Sequence, residues 1–99
     1  MHMSVFILAG IDPFHQPGVD EIYRFDTRDK VYDFINNWLD TKLTQQLQYC
    51  TGLKGDKENH IQEYINYLND WNVVQFYGEF THPDNASEPY EYKWELYEL

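Results

Sequence analysis

This chain has little cysteine, few basic residues and no long apolar stretch. Its single cysteine, Cys50, cannot form a disulfide within the chain. Its longest apolar run, 5–11, is too short to span a membrane or to form the core of a signal peptide. Seven basic residues against seventeen acids leave a formal charge of −10, which disfavours direct binding to nucleic acid or anionic membranes. We therefore expect a soluble, cytoplasmic protein.

Residues that carry chemistry are also few. His15, His60 and His82 fall in a predicted loop, helix start and strand end, without the spacing of metal ligands. Asp12 with His15, directly after the first strand, is the best local candidate for metal binding or acid–base work, although a plain proline turn explains the same residues. Cys50 closes an apolar stripe and is typical of a small buried residue rather than a nucleophile. We expect no enzyme activity, no cofactor and no metal site.

Hydrophobic periodicity predicts two strands, two helices and two further strands. Residues 5–11 are apolar on both faces, which is typical of a central strand covered on two sides, and 21–25 form a short strand after a proline-rich loop. Amphipathic helices follow, one capped by Asp26 or Thr27 and one by Asp56, with Trp38 and Trp71 on their apolar stripes and therefore expected in the core. The pattern predicts an α+β two-layer sandwich of about four mostly antiparallel strands, in the order β-β-α-α-β-β, with both helices on one sheet face in a single domain, 1–99.

The last two strands alternate between apolar and polar positions. In the final strand the even-numbered residues are apolar, and the odd-numbered side holds Glu91, Lys93, Glu95 and Tyr97. We expect these strands to form a long-looped hairpin in which Trp94 covers Gly78 and Phe76 faces Leu96. The even side then belongs to the core, and the odd side faces water.

Most of the excess charge lies near the end of the chain. Residues 70–99 contain one base and seven acids, whereas 28–69 are nearly neutral. Solvated surface alone would explain the acids. Solubility does not, however, call for Tyr77 and Tyr97 among them, and exposed tyrosine is enriched where proteins bind proteins. We therefore predict a partner-binding surface made of the following residues: Tyr77, Glu79, Asp84, Glu88, Glu91, Glu95 and Tyr97.

The expected partner is a basic protein surface, such as the groove of a nuclease or another nucleic-acid-binding protein. In size, charge and lack of catalytic motifs the chain resembles the inhibitors that phages carry against host defence, including anti-CRISPR and antirestriction proteins, and the immunity proteins that block nuclease toxins. That resemblance implies an inhibitor, and Lys93 departs from a pure mimic of phosphate charges. The alternative is a small-ligand or metal-binding accessory domain that uses the 10–18 loop, with a homodimer formed through the bare sheet face as one version of it.

Overall fold

The described residues form one sheet of four antiparallel strands and two helices. The computed structural model describes residues 4–13, 18–49, 57–81 and 87–99, and gives the backbone alone for 45–49, 79–81 and 87–89. The elements are β1 (Phe6–Ile11), β2 (Glu21–Phe25), α1 (Arg28–Tyr49), α2 (Lys57–Trp71), β3 (Val73–Thr81) and β4 (Ser87–Glu98). The strands lie in the order β2-β1-β4-β3, and both helices pack on one face. The predicted α+β two-layer sandwich is confirmed.

Local capping sets where the helices begin and end. Thr27 Oγ1 accepts a hydrogen bond from the Lys30 amide at the start of α1, as predicted for one of the two cap candidates. At the end of α2, Asn72 has a positive φ of 57°, and its amide donates to the Leu68 carbonyl. The Asn72 carbonyl accepts from the Leu96 amide, so this residue closes the helix and opens the pairing of β3 with β4. Neither described helix is long and apolar enough to cross a membrane.

The core lies between the helices and the even-numbered side chains of β1, β3 and β4. Trp94 is fully buried there, and its ring contacts Phe34 and Trp38 at centroid distances of 5.3 and 5.7 Å. The helices contribute a stripe that is buried at each of the following positions: Val31, Ile35, Leu39, Leu43, Ile61 and Leu68. The tail aromatics at even positions therefore belong to the core, as predicted.

The pairing of β3 with β4 differs from the predicted register by four residues. Gly78 lies opposite Tyr90 and Phe76 opposite Tyr92, while Trp94 pairs with Val74. Trp94 does cover a glycine, but the glycine is Gly10 of β1, on the other side of β4. An even shift keeps every side chain on its predicted face, which is why the faces were right although the register was wrong.

Two further expectations need correction. Trp71 lies at the end of the α2 stripe, yet 69% of its surface is exposed, so it is not a core residue. Trp38, by contrast, packs against the core. β1 is central in the sheet, but the helices cover only its even-numbered side, and Ile7 and Ile11 on the other side are half-buried. The interpretations of Cys50 and His82 concern positions outside the described residues.

Candidate interaction surface

The sheet has a second face, which we call the open face because neither described helix covers it. Strand alternation places on it the side chains that point away from the buried even positions. The open face consists of Ile7, Ala9, Ile11, Ile22, Arg24, Val73, Gln75, Tyr77, Glu91, Lys93, Glu95 and Tyr97.

Four of the seven predicted site residues share this face. Tyr77 lies opposite Glu91 across the β3–β4 pair, and 63% of its surface is exposed. Tyr97 lies opposite Ile7 of β1 and is 49% exposed, with Glu95 two positions earlier on the same strand. The structure therefore brings two tyrosines and two carboxylates together on one rigid surface.

Of the other three predicted residues, two lie at the far end of the β3–β4 pair. Glu79 belongs to β3, where its Cα partner is Pro89, and Glu88 belongs to β4 opposite Phe80. Their side chains are outside what the structure describes, and Asp84 lies outside the described residues altogether.

Both described carboxylates of the predicted site are held in place by neighbours. Glu95 accepts a hydrogen bond from the Tyr97 hydroxyl and forms an ion pair with Lys93 Nζ at 3.0 Å. The Tyr97 hydroxyl and then Lys93 lower the pKa of Glu95, so it stays ionised. The Glu91 Oε1 atom accepts from Gln75 Nε2 at 2.9 Å. These partners orient the charges without removing them from the surface.

The described charges of the open face balance one another. The positive charges of Arg24 and Lys93 equal in number the negative charges of Glu91 and Glu95. β1 adds Ile7 and Ala9 to the same face, and the edge strand β2 adds Ile22. Ile22 is among the most exposed apolar side chains of the described chain. The surface is therefore a mixture of apolar, aromatic and charged side chains, rather than a row of carboxylates.

A groove at the free edge of β3 was missed by the sequence analysis. It has a volume of about 570 Å³, and we call it the α2–β3 groove; its walls are His60, Glu63, Tyr64 and Tyr67 from α2 and Gln75, Tyr77 and Glu91 from the sheet. Tyr67 is 60% exposed and lies off the apolar stripe of α2. That off-stripe position is the signal that could have marked it as a surface residue.

A shallower hollow of about 490 Å³ continues on the other side of Gln75. Trp71, Lys93, Glu95 and Tyr97 are among its walls. Because Gln75 lines both depressions, the exposed rings of α2 and of the open face border one connected region.

On the helix-covered face of the sheet, near the middle of β4, a tyrosine hydroxyl lies between two carboxylates. Tyr92 Oη is 2.9 Å from Asp20 Oδ2 and 2.5 Å from Glu21 Oε2, and burial, followed by these contacts, raises the pKa of Tyr92. Burial and then the charge of Asp12 raise the pKa of Tyr90 to about 12.

Within the described ranges no group of three or more His, Cys, Asp or Glu could hold a metal ion. His15, the proposed companion of Asp12, lies outside them.

Comparison of the chain with protein-family models, curated proteins and solved structures gave no significant match.

Within the chain, the open face and the α2–β3 groove combine exposed rings with carboxylates, and they share Tyr77 and Glu91. Tyrosine and tryptophan are enriched in the surfaces through which proteins bind one another, because a large rigid ring provides contact area at low entropic cost.

Proposed function

We propose that this chain is a non-catalytic interaction protein that docks its open face onto a basic surface of another protein. The observation that carries the proposal is the exposure of Tyr77 and Tyr97 beside Glu91 and Glu95 on the open face. A monomer gains little by leaving such rings in water, whereas a partner that covers them buries apolar area and meets oriented carboxylates.

The charge of the whole chain supports a basic partner. A formal charge of −10 on 99 residues produces a negative field that attracts a positively charged surface over several ångströms and speeds its association. At short range the balanced open face contributes through its rings and aliphatic side chains. In this proposal long-range charge selects the partner, and Tyr77, Tyr97 and Ile22 provide the contact area.

The more specific version of the proposal is an inhibitor of a nuclease or another nucleic-acid-binding protein, of the phage counter-defence or immunity-protein type. A site that binds a phosphate backbone is lined with lysine and arginine, and a small acidic domain can occupy it by charge. This version rests on size, charge and the resemblance in type. Lys93, paired with Glu95 at 3.0 Å, favours ordinary protein contact over strict imitation of a phosphate row.

Charge reversal on the open face tests the docking proposal. We expect the double variant Glu91→Lys/Glu95→Lys to fold, because both side chains are partly exposed. The intact protein should capture its partner from cell lysate at low salt and release it at high salt, and the double variant should fail to capture it. Once that partner is purified, its affinity for each variant is measured by titration calorimetry.

A matched control carries the same change in net charge on the helices. Asp33 and Glu58 are exposed on α1 and α2, away from the open face, so Asp33→Lys/Glu58→Lys reports the effect of overall charge alone. We expect the open-face variant to bind at least about tenfold more weakly than this control, which corresponds to loss of one or two good contacts. Equal affinities for the two double variants would refute docking through the open face.

A further inference from the structure

The α2–β3 groove has a chemistry that the docking proposal alone does not assign. Its described walls include the carboxylates of Glu63 and Glu91 and the rings of Tyr67 and Tyr77, and they include no lysine or arginine. Lys93, the nearest base along β4, forms its ion pair with Glu95, outside the groove. Among the ion pairs of the described residues, neither Glu63 nor Glu91 takes part.

The Glu91 carboxylate is positioned by the sheet itself. Gln75 Nε2 donates to one of its oxygens at 2.9 Å, and both residues line the groove. Because a carboxylate has four lone-pair sites, this contact leaves acceptor capacity for a second donor. The groove therefore contains an oriented anion beside exposed rings.

The free edge of β3 is partly closed to an added strand. The Asn72 carbonyl is directed to β4, so alternation directs the backbone groups of Gln75 and Tyr77 away from β4. Burial and then the charge of Glu63 raise the pKa of Tyr64, and a hydrogen bond between its hydroxyl and the Tyr77 backbone opposes this rise. A partner is thus recognised here by its side chains rather than by strand addition.

These features fit a guanidinium group better than an ammonium group. Arginine is planar, stacks on aromatic rings and binds a carboxylate with two parallel hydrogen bonds, whereas lysine is a compact, strongly hydrated point charge. Rings and carboxylates in the same groove meet both requirements of arginine. A volume of about 570 Å³ leaves room for the side chain and the adjoining backbone.

We propose that the α2–β3 groove binds an arginine side chain presented by an extended segment of the partner protein. The rings of Tyr67 and Tyr77 stack on the guanidinium, and Glu63 and Glu91 accept its hydrogen bonds. This inference rests on the proposed function, because it assumes a basic protein partner, and it adds a second contact site beside the open face together with the chemistry that this site selects.

The test uses amide NMR spectra of the whole chain titrated with a short, blocked glycine peptide that contains two arginines. Matched peptides carry lysine, or citrulline, which keeps the shape of arginine without its charge. We expect the arginine peptide to shift the signals of Glu63, Tyr67 and Tyr77 and to bind several-fold more tightly than the lysine peptide. The citrulline peptide should shift none of these signals.

Variants localise the effect. Tyr67→Ala is expected to weaken binding of the arginine peptide by about tenfold. Tyr67→Phe is expected to keep most of the affinity, because the ring rather than the hydroxyl makes the contact. Trp71→Ala removes an exposed ring of α2 that neither lines the groove nor belongs to the open face, and it is expected to leave the affinity unchanged. Both alanine variants remove exposed side chains, and a thermal melt checks that they fold.

The possible outcomes separate the two proposals. Peptide shifts confined to Tyr97 and Glu95 would overturn the groove assignment and leave docking through the open face standing. If the citrulline peptide binds as tightly as the arginine peptide, the groove assignment is overturned in favour of an uncharged ligand. If the groove signals shift with protein concentration in the absence of peptide, it is overturned in favour of a second copy of the chain. If no cationic peptide shifts any signal of the groove, the groove assignment fails, and docking through the open face is then decided by the charge-reversal titration.

Discussion

The ring of Trp94 lies directly against the backbone of Gly10 on the neighbouring strand β1. A Cβ atom placed on Gly10 would be 2.7 Å from Trp94 Cζ3 and 2.7 Å from the Tyr92 hydroxyl oxygen. Trp94 is fully buried and in ring contact with Phe34 and Trp38, so the indole has little room to move. The absence of a side chain at Gly10 is thus what allows the largest core residue to fit.

Gly10→Ala should therefore destabilise the protein. We expect the free energy of unfolding, measured in urea, to fall by about 1–3 kcal/mol, the usual cost of overpacking a core. The same substitution should cost less in a Trp94→Phe background, since the smaller ring leaves space for the methyl group. An undiminished cost in that double-mutant cycle would show that the indole is not the obstacle.

Trp94 and Trp71 should differ widely in their contribution to stability. Trp94→Ala empties a fully buried site and is expected to cost about 3–5 kcal/mol. Trp71→Ala removes a side chain that is 69% exposed and should change stability by no more than about 0.5 kcal/mol. Urea denaturation of both variants checks the pair, and similar losses for the two would contradict the assignment of Trp71 to the surface.

Asn72 should tolerate glycine better than alanine. Its φ of 57° is readily adopted by asparagine and glycine, whereas alanine there costs about 1 kcal/mol or more. Asn72→Gly and Asn72→Ala both lose the hydrogen bond from Arg28 Nη2 to Asn72 Oδ1, so their difference isolates the backbone effect. The order of their thermal midpoints is the measurement, and a more stable alanine variant would exclude a left-handed residue at this helix end.

Alkaline pH should weaken the fold. The native pKa of Tyr90 is raised to about 12, chiefly by burial, and that of Tyr92 is raised as well, so both keep their protons where tyrosines of the unfolded chain lose theirs. The unfolded state then binds fewer protons than the native state, and stability falls as pH rises from about 10 towards 12.

This pH dependence has its own control. Tyr90→Phe should remove part of the loss between about pH 10 and 12, because phenylalanine cannot ionise in either state. Phenolate absorbance gives the native titration directly, and the variant should lack the step near pH 12. Tyrosines that all titrated together near pH 10 in the folded protein would contradict the burial of Tyr90.

Several residues show why the site was only partly predictable. Glu91, Glu95, Tyr77 and Tyr97 were assigned to one face correctly, because alternation along a strand is a local property. Tyr67 was overlooked because the groove that it lines forms only when α2 packs beside β3. Periodicity states which side of a helix a residue occupies, but not whether an opposing layer extends that far, as Trp71 demonstrates.

The amino-acid sequence by itself determined the order of strands and helices, the side of each element that enters the core, and the excess of acid over base. Tertiary structure alone decided that β4 lies between β1 and β3, and hence that Trp94 packs against Gly10 rather than Gly78. The reason is physical: two glycines in different strands offer an indole the same kind of space, and only the assembled sheet brings one of them within contact.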